Sequence, residues 1–329
     1  MKNIVLSLTS SAILALAPLA SQATELTRVT AGHLVALDMA PLFVASESGC
    51  FEQYGLDVDL RFFANPGDNN AALAGRAIDF STNPFTLPFF AANSGVPVRT
   101  IAAAGGWGVM EVIAHGHHEL HSMEDLRDHV EKGGDTLSVA VLQGDTLELI
   151  MVSELGRVGL PPDAVRFVYF DDLLAMVEAF RNNRVDILSH IKPYTSQMVA
   201  ERGATVLTNN ATAWSERTPN TVVSVLKRTL EQRPEVVQGY LQGLLCAAEI
   251  INNDLDRALG YLSQGNYFRV SPEVLRTAFE SAPLPISFTP DVGAIQGVVD
   301  ELGRLGYIRP GVSAEEIFRI QMIETLAQE

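Results

Sequence analysis

Short apolar runs alternate along the chain with amphipathic stretches, as in proteins built from repeated strand and helix units. Residues 56–62 alternate apolar and charged side chains, which predicts a strand with one buried face. Pro41 near a first turn and Gly49 as a stop signal predict a helix at 41–48. The mostly apolar run at 98–104 predicts a buried strand. This βαβα order predicts an open, largely parallel sheet with helices on both faces.

The same order restarts in the middle of the chain. The octapeptides A-L-A-G-R-A-I-D at 72–79 and A-F-R-N-N-R-V-D at 179–186 echo one another, each ending a predicted helix before an apolar residue and an aspartate. Two lobes built on one βα plan would explain this echo, and coincidence over so short a segment is the alternative. The further predicted strands are residues 137–141, 165–170 and 185–189.

After a strand pattern at 221–226, the chain is predicted to be helical to its end. Ser313 and Glu316 form a capping box that predicts the start of the last helix. This tail has no sheet of its own, so we expect it to pack on one of the lobes. The predicted helices are 234–252, 254–263, 272–281, 291–305 and 314–327.

The first 23 residues have the pattern of a secretory signal peptide. Lys2 supplies a positive start, residues 4–19 are mostly apolar, and Ser21-Gln22-Ala23 offers small residues before a cut after Ala23. A membrane anchor is the alternative, but the stretch is short and rich in serine and threonine for a span of ~30 Å. We therefore expect an exported, soluble mature protein.

Composition and charge narrow the choice of partners. With 329 residues, 47% of them apolar, the chain is long enough for two α/β lobes. Its formal charge is −16, and removal of the signal peptide takes away one lysine and no acid. A field of that sign repels nucleic acid and anionic membranes, so we expect neither as a partner, and we expect a monomer.

The two cysteines, Cys50 and Cys246, leave the disulfide question open. An exported protein matures where a disulfide can form. Cys246 lies in the apolar run 241–251, where a buried free thiol is the common outcome, so we favour free thiols.

An ordered set of short motifs resembles one family. No single motif is specific, but together they span nearly the whole mature chain and resemble the periplasmic substrate-binding proteins of ABC importers in the nitrate, sulfonate, taurine and thiamine-pyrimidine group. The motifs are A-P-L-F-V-A through G-C-F-E-Q-Y-G-L-D-V at 40–58, A-L-A-G with D-F at 72–80, G-V-P-V at 95–98, S-M-E-D-L at 122–126 and L-G-Y-I at 305–308.

The resemblance implies a type II periplasmic binding protein fold, with two α/β lobes of mixed, mainly parallel sheets joined by two crossover strands. We place the crossovers near residues 109–114 and 221–226. Lobe one would comprise residues 24–110 and 215–329, and lobe two residues 111–214. The implied function is capture of a small polar molecule by hinge closure and delivery to a membrane permease.

The ligand site is predicted at the strand-to-helix loops, because ligands of open α/β sheets bind beyond the carboxyl ends of the strands. Trp107 is flanked by glycines rather than by apolar residues, which favours a role in the site. The aspartates stand near helix starts, where helix capping explains them equally well. The candidates are Asp38, Asn65, Ser81, Thr82, Asn83 and Trp107 in lobe one, and Asp145, Thr146, Tyr169, Asp171, His190 and Tyr194 in lobe two.

The charges of these loops favour one class of ligand. They hold Lys192 and several aspartates but no arginine, which a tight anion site usually contains. We therefore favour a nitrogen compound such as an aminopyrimidine or an amine. A sulfonate, taurine or nitrate-like anion remains the alternative, since helix N-termini bind anions without any arginine.

The sequence predicts neither a metal, a cofactor nor catalysis. Five of the seven histidines lie between His115 and His129, where a polar loop explains them better than a metal site. Related pyrimidine-precursor enzymes carry a cysteine-rich motif that this chain lacks, and no G-x-S-x-G, H-E-x-x-H or P-loop is present. Such an enzyme, or a receptor subunit that senses the ligand, is the alternative.

Overall fold

A computed structural model describes residues 25–282 and 285–328, which form ten strands and sixteen helices. The predicted signal peptide lies outside the described residues. The strands are β1 (Thr27–His33), β2 (Leu56–Phe62), β3 (Phe80–Pro84), β4 (Val98–Ala103), β5 (Met110–Ala114), β6 (Ser138–Leu142), β7 (Arg166–Phe170), β8 (Ile187–Ile191), β9 (Thr205–Asn209) and β10 (Thr221–Leu226).

The helices alternate with the strands as far as β10 and then follow one another to the end. They are α1 (Ala40–Ser48), α2 (Cys50–Gln53), α3 (Pro66–Ala74), α4 (Leu87–Asn93), α5 (Met123–Glu131), α6 (Thr146–Arg157), α7 (Leu173–Arg181), α8 (Tyr194–Arg202), α9 (Asn210–Ala213), α10 (Lys227–Gln232), α11 (Pro234–Asn253), α12 (Leu255–Gly265), α13 (Pro272–Glu280), α14 (Val292–Arg304), α15 (Ala314–Ile317) and α16 (Gln321–Leu326).

Two five-stranded sheets form the centres of two lobes. The first has the order β2-β1-β3-β10-β4, and the second has the order β7-β6-β8-β5-β9. In each sheet one strand, β10 or β5, runs antiparallel to both of its neighbours. The other pairs within each sheet are parallel. This confirms the predicted fold class of two α/β lobes with mixed, mainly parallel sheets.

The chain passes between the sheets twice, from β4 to β5 and from β9 to β10. Asn210 fastens these two passages to each other: its Oδ1 accepts from the backbone N of Met110 at 3.1 Å, and its Nδ2 donates to the carbonyl of Thr218 at 2.6 Å. The predicted lobe boundaries at residues 110 and 214 fall within these passages and stay a prediction.

The helical tail contacts both lobes, where the sequence predicted contact with one. Helices α11 and α12 pack on α1 of the first lobe, whereas α13 packs on α8 and α14 on α6 of the second. Residues 285–291, which precede α14, run beside the passages. The carbonyl of Phe288 accepts from the backbone N of Ala103, and the backbone N of Asp291 donates to the carbonyl of Arg217, each at 2.9 Å.

The last predicted helix, 314–327, is divided in two. Helix α15 ends at Ile317 and α16 begins at Gln321. Between them Phe318 pairs with Thr100 as an added β-bridge, and the backbone N of Arg319 donates to the Thr100 carbonyl. Pairing with the edge strand β4 competes with helix formation there, which local sequence did not reveal.

Cys50 and Cys246 are joined in a disulfide, with 5.9 Å between their Cα atoms. The expectation of free thiols was wrong. Helix α11 packs on α2 and brings together two cysteines that are 196 residues apart in sequence. The apolar run at 241–251 predicts that Cys246 is buried, but it does not indicate which residue lies opposite Cys246.

Across residues 25–282 and 285–328, no helix combines the length and apolarity that a membrane span requires.

Candidate functional site

Two neighbouring cavities lie between the lobes, at the carboxyl ends of the parallel strands. The outer cavity has a volume of about 330 Å³. The inner cavity, of about 10 Å³, has room for about one water molecule. The two share Pro66, Leu142 and Asp145. The other residues of the outer cavity are Asn65, Gly67, Leu87, Phe90, Gln143, Gly144, Tyr169, Phe170 and Asp171, and those of the inner cavity are Leu34, Ala36, Pro84, Leu147, Leu173, Ile191, Asn220 and Thr221.

Asp145 lines both cavities, which makes it the best-placed of the predicted ligand-binding residues. It caps α6, with its Oδ1 accepting from the backbone N of Leu147 and from the hydroxyl of Thr146, both at 3.0 Å. Its Oδ2 is buried and has no hydrogen-bond partner among the described residues. Burial raises the pKa of Asp145 to about 6, because the charged form loses its hydration. Oδ2 of Asp145 is therefore free to accept a hydrogen bond from a donor outside the described residues.

Thr146 links the second lobe to the passage that precedes β10. Its hydroxyl lies 2.9 Å from Oδ1 of Asn220 and 3.0 Å from Oδ1 of Asp145, so its single proton serves one acceptor at a time. Thr146 is fully buried and holds α6 against this passage.

Asn65 and Asp171 meet across the outer cavity. Asn65 caps α3 through its Oδ1, which accepts from the backbone N of Gly67 at 2.7 Å, and its Nδ2 donates to the carbonyl of Asp171 at 2.8 Å. The first helix is in lobe one and the carbonyl in lobe two. This contact therefore links the two lobes.

Asp38 is buried beside the passage into β10 and lines neither cavity. Its Oδ2 accepts from the backbone N and the hydroxyl of Thr221, at 2.9 and 2.7 Å. Burial raises its pKa to about 6. Asp38 thus fastens the start of β10 to lobe one.

Ser81, Thr82 and Asn83 are buried in β3 and position α3. The hydroxyl of Ser81 donates to Oδ1 of Asn69 at 3.0 Å, and Nδ2 of Asn69 donates to the carbonyl of Thr82 at 2.9 Å. Asn83 donates to the carbonyl of Pro66 at 3.0 Å. These bonds place the N-terminus of α3 at the outer cavity, while the three side chains stay outside both cavities.

His190, Tyr194 and Trp107 are buried and line neither cavity. Nε2 of His190 lies 2.8 Å from the carbonyl of Leu173, and burial lowers its pKa to about 4, so the ring is neutral. Burial raises the pKa of Tyr194 to about 12. The indole of Trp107 is 1% exposed, so it is not accessible to a ligand in this structure.

The one cation predicted at the site is already paired. Nζ of Lys192 lies 3.3 Å from Oε1 of Glu111 and donates to the hydroxyl of Ser281 at 2.8 Å, with only 4% of the residue exposed. Among the described residues, neither cavity is lined by lysine or arginine. The cleft is therefore acidic where the ligand would lie.

Three residues at or beside the outer cavity were not predicted from the sequence: Glu148, Phe90 and Tyr307. Glu148 is 4% exposed and accepts from the hydroxyl of Tyr169, a predicted site residue that is half exposed and lines the outer cavity. Its position three residues after the cap Asp145 was the available signal, because a glutamate there often accepts a backbone N–H at the helix start.

The histidine-rich loop folds against its own lobe. Nε2 of His118 lies 3.2 Å from Oδ1 of Asp186, and the ring of His115 stacks on Phe180 at 3.8 Å. Within the described part of the chain, no three His, Cys, Asp or Glu side chains are placed to hold a metal ion.

Comparison with known proteins gives one matching family and several relatives. A model of the NMT1-like family matches residues 22–259. The nitrate/nitrite binding protein NrtA of Nostoc sp. is 24% identical over 238 residues, which are 68% of this chain but 54% of that protein, so the chain spans about half the length of this relative.

Solved structures share the fold at lower identity. The periplasmic nitrate-binding protein NrtA from Synechocystis is 17% identical with a TM-score of 0.78, over 93% of this chain and 90% of that one. The alkanesulfonate-binding protein SsuA from Xanthomonas axonopodis, solved with MOPS bound, is 17% identical with a TM-score of 0.74, over 89% and 98%.

Proposed function

The chain belongs to the NMT1-like family, and we propose that it is the periplasmic solute-binding component of an ABC-type importer. It captures a small molecule between its lobes and presents the closed form to a membrane permease. The observation that carries this proposal is the pair of cavities between two lobes that are joined by two passages of chain. A ligand that contacts both lobes favours the closed form, which is binding without catalysis.

The ligand we propose is a nitrogen compound with a hydrogen-bond donor, such as an amine or an aminopyrimidine. The unpartnered Oδ2 of Asp145 is the acceptor for that donor. Phe90, Tyr169 and Phe170 line the outer cavity and offer aromatic surface to an apolar or flat body. A cationic head would also restore the charged form of Asp145, whose pKa is raised in the empty site.

An anion is the second candidate, because the relatives are described as nitrate- and sulfonate-binding proteins. Two features of this chain weigh against it. The first-turn N–H groups that would hold an anion are already capped, at α3 by Asn65 and at α6 by Asp145. The nearest buried cation, Lys192, is paired with Glu111.

A thermal-shift screen of the protein from residue 24 onward, unfolded and refolded to remove carried ligand, tests the proposal. The panel holds aminopyrimidines, polyamines, taurine, alkanesulfonates, nitrate and bicarbonate. Saturation at about 100 times Kd should add about 2.7 kcal/mol to the free energy of unfolding. The largest shift is expected from a nitrogen base. A larger shift from nitrate or a sulfonate would refute the ligand class but not the binding function, whereas no shift from any compound would count against both.

A further inference from the structure

A buried carboxylate of lobe two accepts hydrogen bonds from both lobes. Oε1 and Oε2 of Glu148 lie 3.0 and 2.9 Å from the hydroxyl of Tyr307, which comes from the C-terminal tail. Within lobe two, Glu148 also accepts from the hydroxyl of Tyr169 at 2.8 Å and from the backbone N of Gly144 at 2.6 Å. Among these bonds to Glu148, only the one from Tyr307 comes from outside lobe two.

Tyr307 is held by lobe one. Two residues further on, the backbone N of Arg309 donates to Oδ1 of Asn93 at 3.0 Å, and the Arg309 guanidinium donates to the Asn93 carbonyl at 3.0 Å. Asn93 is the last residue of α4, and the ring of Phe90 on the same helix lies 6.3 Å from the Tyr307 ring. These contacts tie Tyr307 to α4 of lobe one, although α14, which ends three residues before it, packs on α6 of lobe two.

A close contact accompanies this bond. Gly144 has a φ of +70°, and a Cβ atom there would lie 2.9 Å from Cζ of Phe90 and 3.5 Å from Cδ1 of Tyr307. Any side chain at this position would push against lobe one. Glycine is thus required both by the backbone conformation and by the approach of the two lobes.

We propose that Glu148, Tyr307 and Gly144 form a latch that holds the lobes closed independently of the ligand. Closing buries the Glu148 carboxylate and gives it a donor from the opposite lobe; opening removes that donor. Gly144 lines the outer cavity together with Phe90, so the latch sets how readily the cleft opens. These are positioning residues, and their role requires no particular ligand.

Interlobe distances measured by electron paramagnetic resonance in the ligand-free protein test the latch. Spin labels at Ala71→Cys in α3 and Lys132→Cys after α5, both exposed, report on lobes one and two, since both native cysteines are already paired. Tyr307→Phe removes only the hydroxyl. A hydrogen bond to a charged group is worth enough that the open-to-closed ratio should rise about ten- to hundredfold.

Tyr267→Phe is the matched control, because its hydroxyl donates to Oε1 of Glu47 at 2.6 Å within lobe one. It should leave the interlobe distance unchanged. Equal distance distributions for Tyr307→Phe and Tyr267→Phe, or a wild type that is already fully open, would overturn the latch.

If Tyr307→Phe folds poorly, a second pair of variants tests the latch by the same distance measurement. Gly144→Ala and Gly203→Ala impose similar backbone strain, at φ +70° and +62°, but a Cβ at Gly203 meets nothing within 4 Å. Only Gly144→Ala should shift the distances toward the open form. The same distribution for both would overturn the latch.

Discussion

Replacing Asp145 by asparagine should stabilise the ligand-free protein while weakening its binding site. Asparagine keeps the cap of α6, since its amide oxygen can accept from the backbone N of Leu147 as the carboxylate does. What it removes is a buried charge whose second oxygen has no partner. Residues that serve a binding site commonly lower the stability of the protein when no ligand is bound.

The pKa of Asp145 determines how large a gain in stability we expect from Asp145→Asn. It rises from 3.8 to about 6 on folding, and at ~1.4 kcal/mol for each unit this is about 3 kcal/mol of destabilisation when the group is charged. The new amide leaves one N–H facing the cavity, which reduces the gain to about 1–2 kcal/mol. The folded protein binds the proton more tightly than the unfolded chain, so the penalty is full above about pH 6 and fades as the pH falls toward 4.

Differential scanning calorimetry of the ligand-free wild type and Asp145→Asn, at about pH 7.5 and about pH 4, measures the effect. We expect a Tm a few degrees higher for the variant at the higher pH and a much smaller difference at the lower pH. Asp172→Asn is the control, since Asp172 caps α7 at 2.8 Å from the backbone N of Ala175 but is partly exposed. A variant less stable than wild type at both pH values would refute this account of Asp145.

Three further variants test the scaffold around the cleft by urea denaturation. Joint replacement of Cys50 and Cys246 by serine should lower the free energy of unfolding by about 2–4 kcal/mol, because the bridge closes a long loop; an unchanged value would contradict that. Asn210→Ala should cost about 2–3 kcal/mol by leaving two buried backbone groups unpaired, and a loss near zero would mean that water replaces both bonds. Trp107→Ala should cost about 3–5 kcal/mol, and a much smaller loss would argue against a packed indole.

Local pattern predicted the elements well and their contacts poorly. The alternation at residues 56–62 corresponds to β2 and the apolar run at 98–104 to β4 with one added residue. The apolar face of β2 is buried only in part, since Leu56 is buried whereas Phe62 is exposed. The crossovers near 109–114 and 221–226 fall on β5 and β10, the strands that follow each passage. The disulfide and the break after α15 depend on partners distant in sequence, so periodicity carried no signal for them.

The candidate site was predicted to the level of loops rather than of side chains. Asp145, Asn65, Tyr169 and Asp171 line the outer cavity, as expected of residues at strand ends. His190 lies in the last part of β8 and Trp107 in the loop that follows β4, but their side chains turn into the protein. The direction of a side chain from such a loop depends on the packing around it, and whether any of these residues contacts a ligand stays a prediction.

Contacts between residues far apart in the chain could not be predicted from the sequence. Glu148 and Tyr307 are 159 positions apart and belong to different lobes. Glu148 alone had a local signal, its place in the first turn of α6, and that signal points to capping. Contacts between lobes follow from the three-dimensional arrangement of the sheets, which no short motif encodes.

Isothermal titration calorimetry of the strongest nitrogen base from the screen, with nitrate and an alkanesulfonate alongside, tests the central claim most directly. The wild type and Asp145→Asn are titrated at about pH 7.5. We predict that the nitrogen base binds the wild type and that Asp145→Asn binds it at least about tenfold more weakly, because a charged partner for the ligand is lost. Tight binding of nitrate or the sulfonate to the wild type, equal or tighter in Asp145→Asn, would contradict the account.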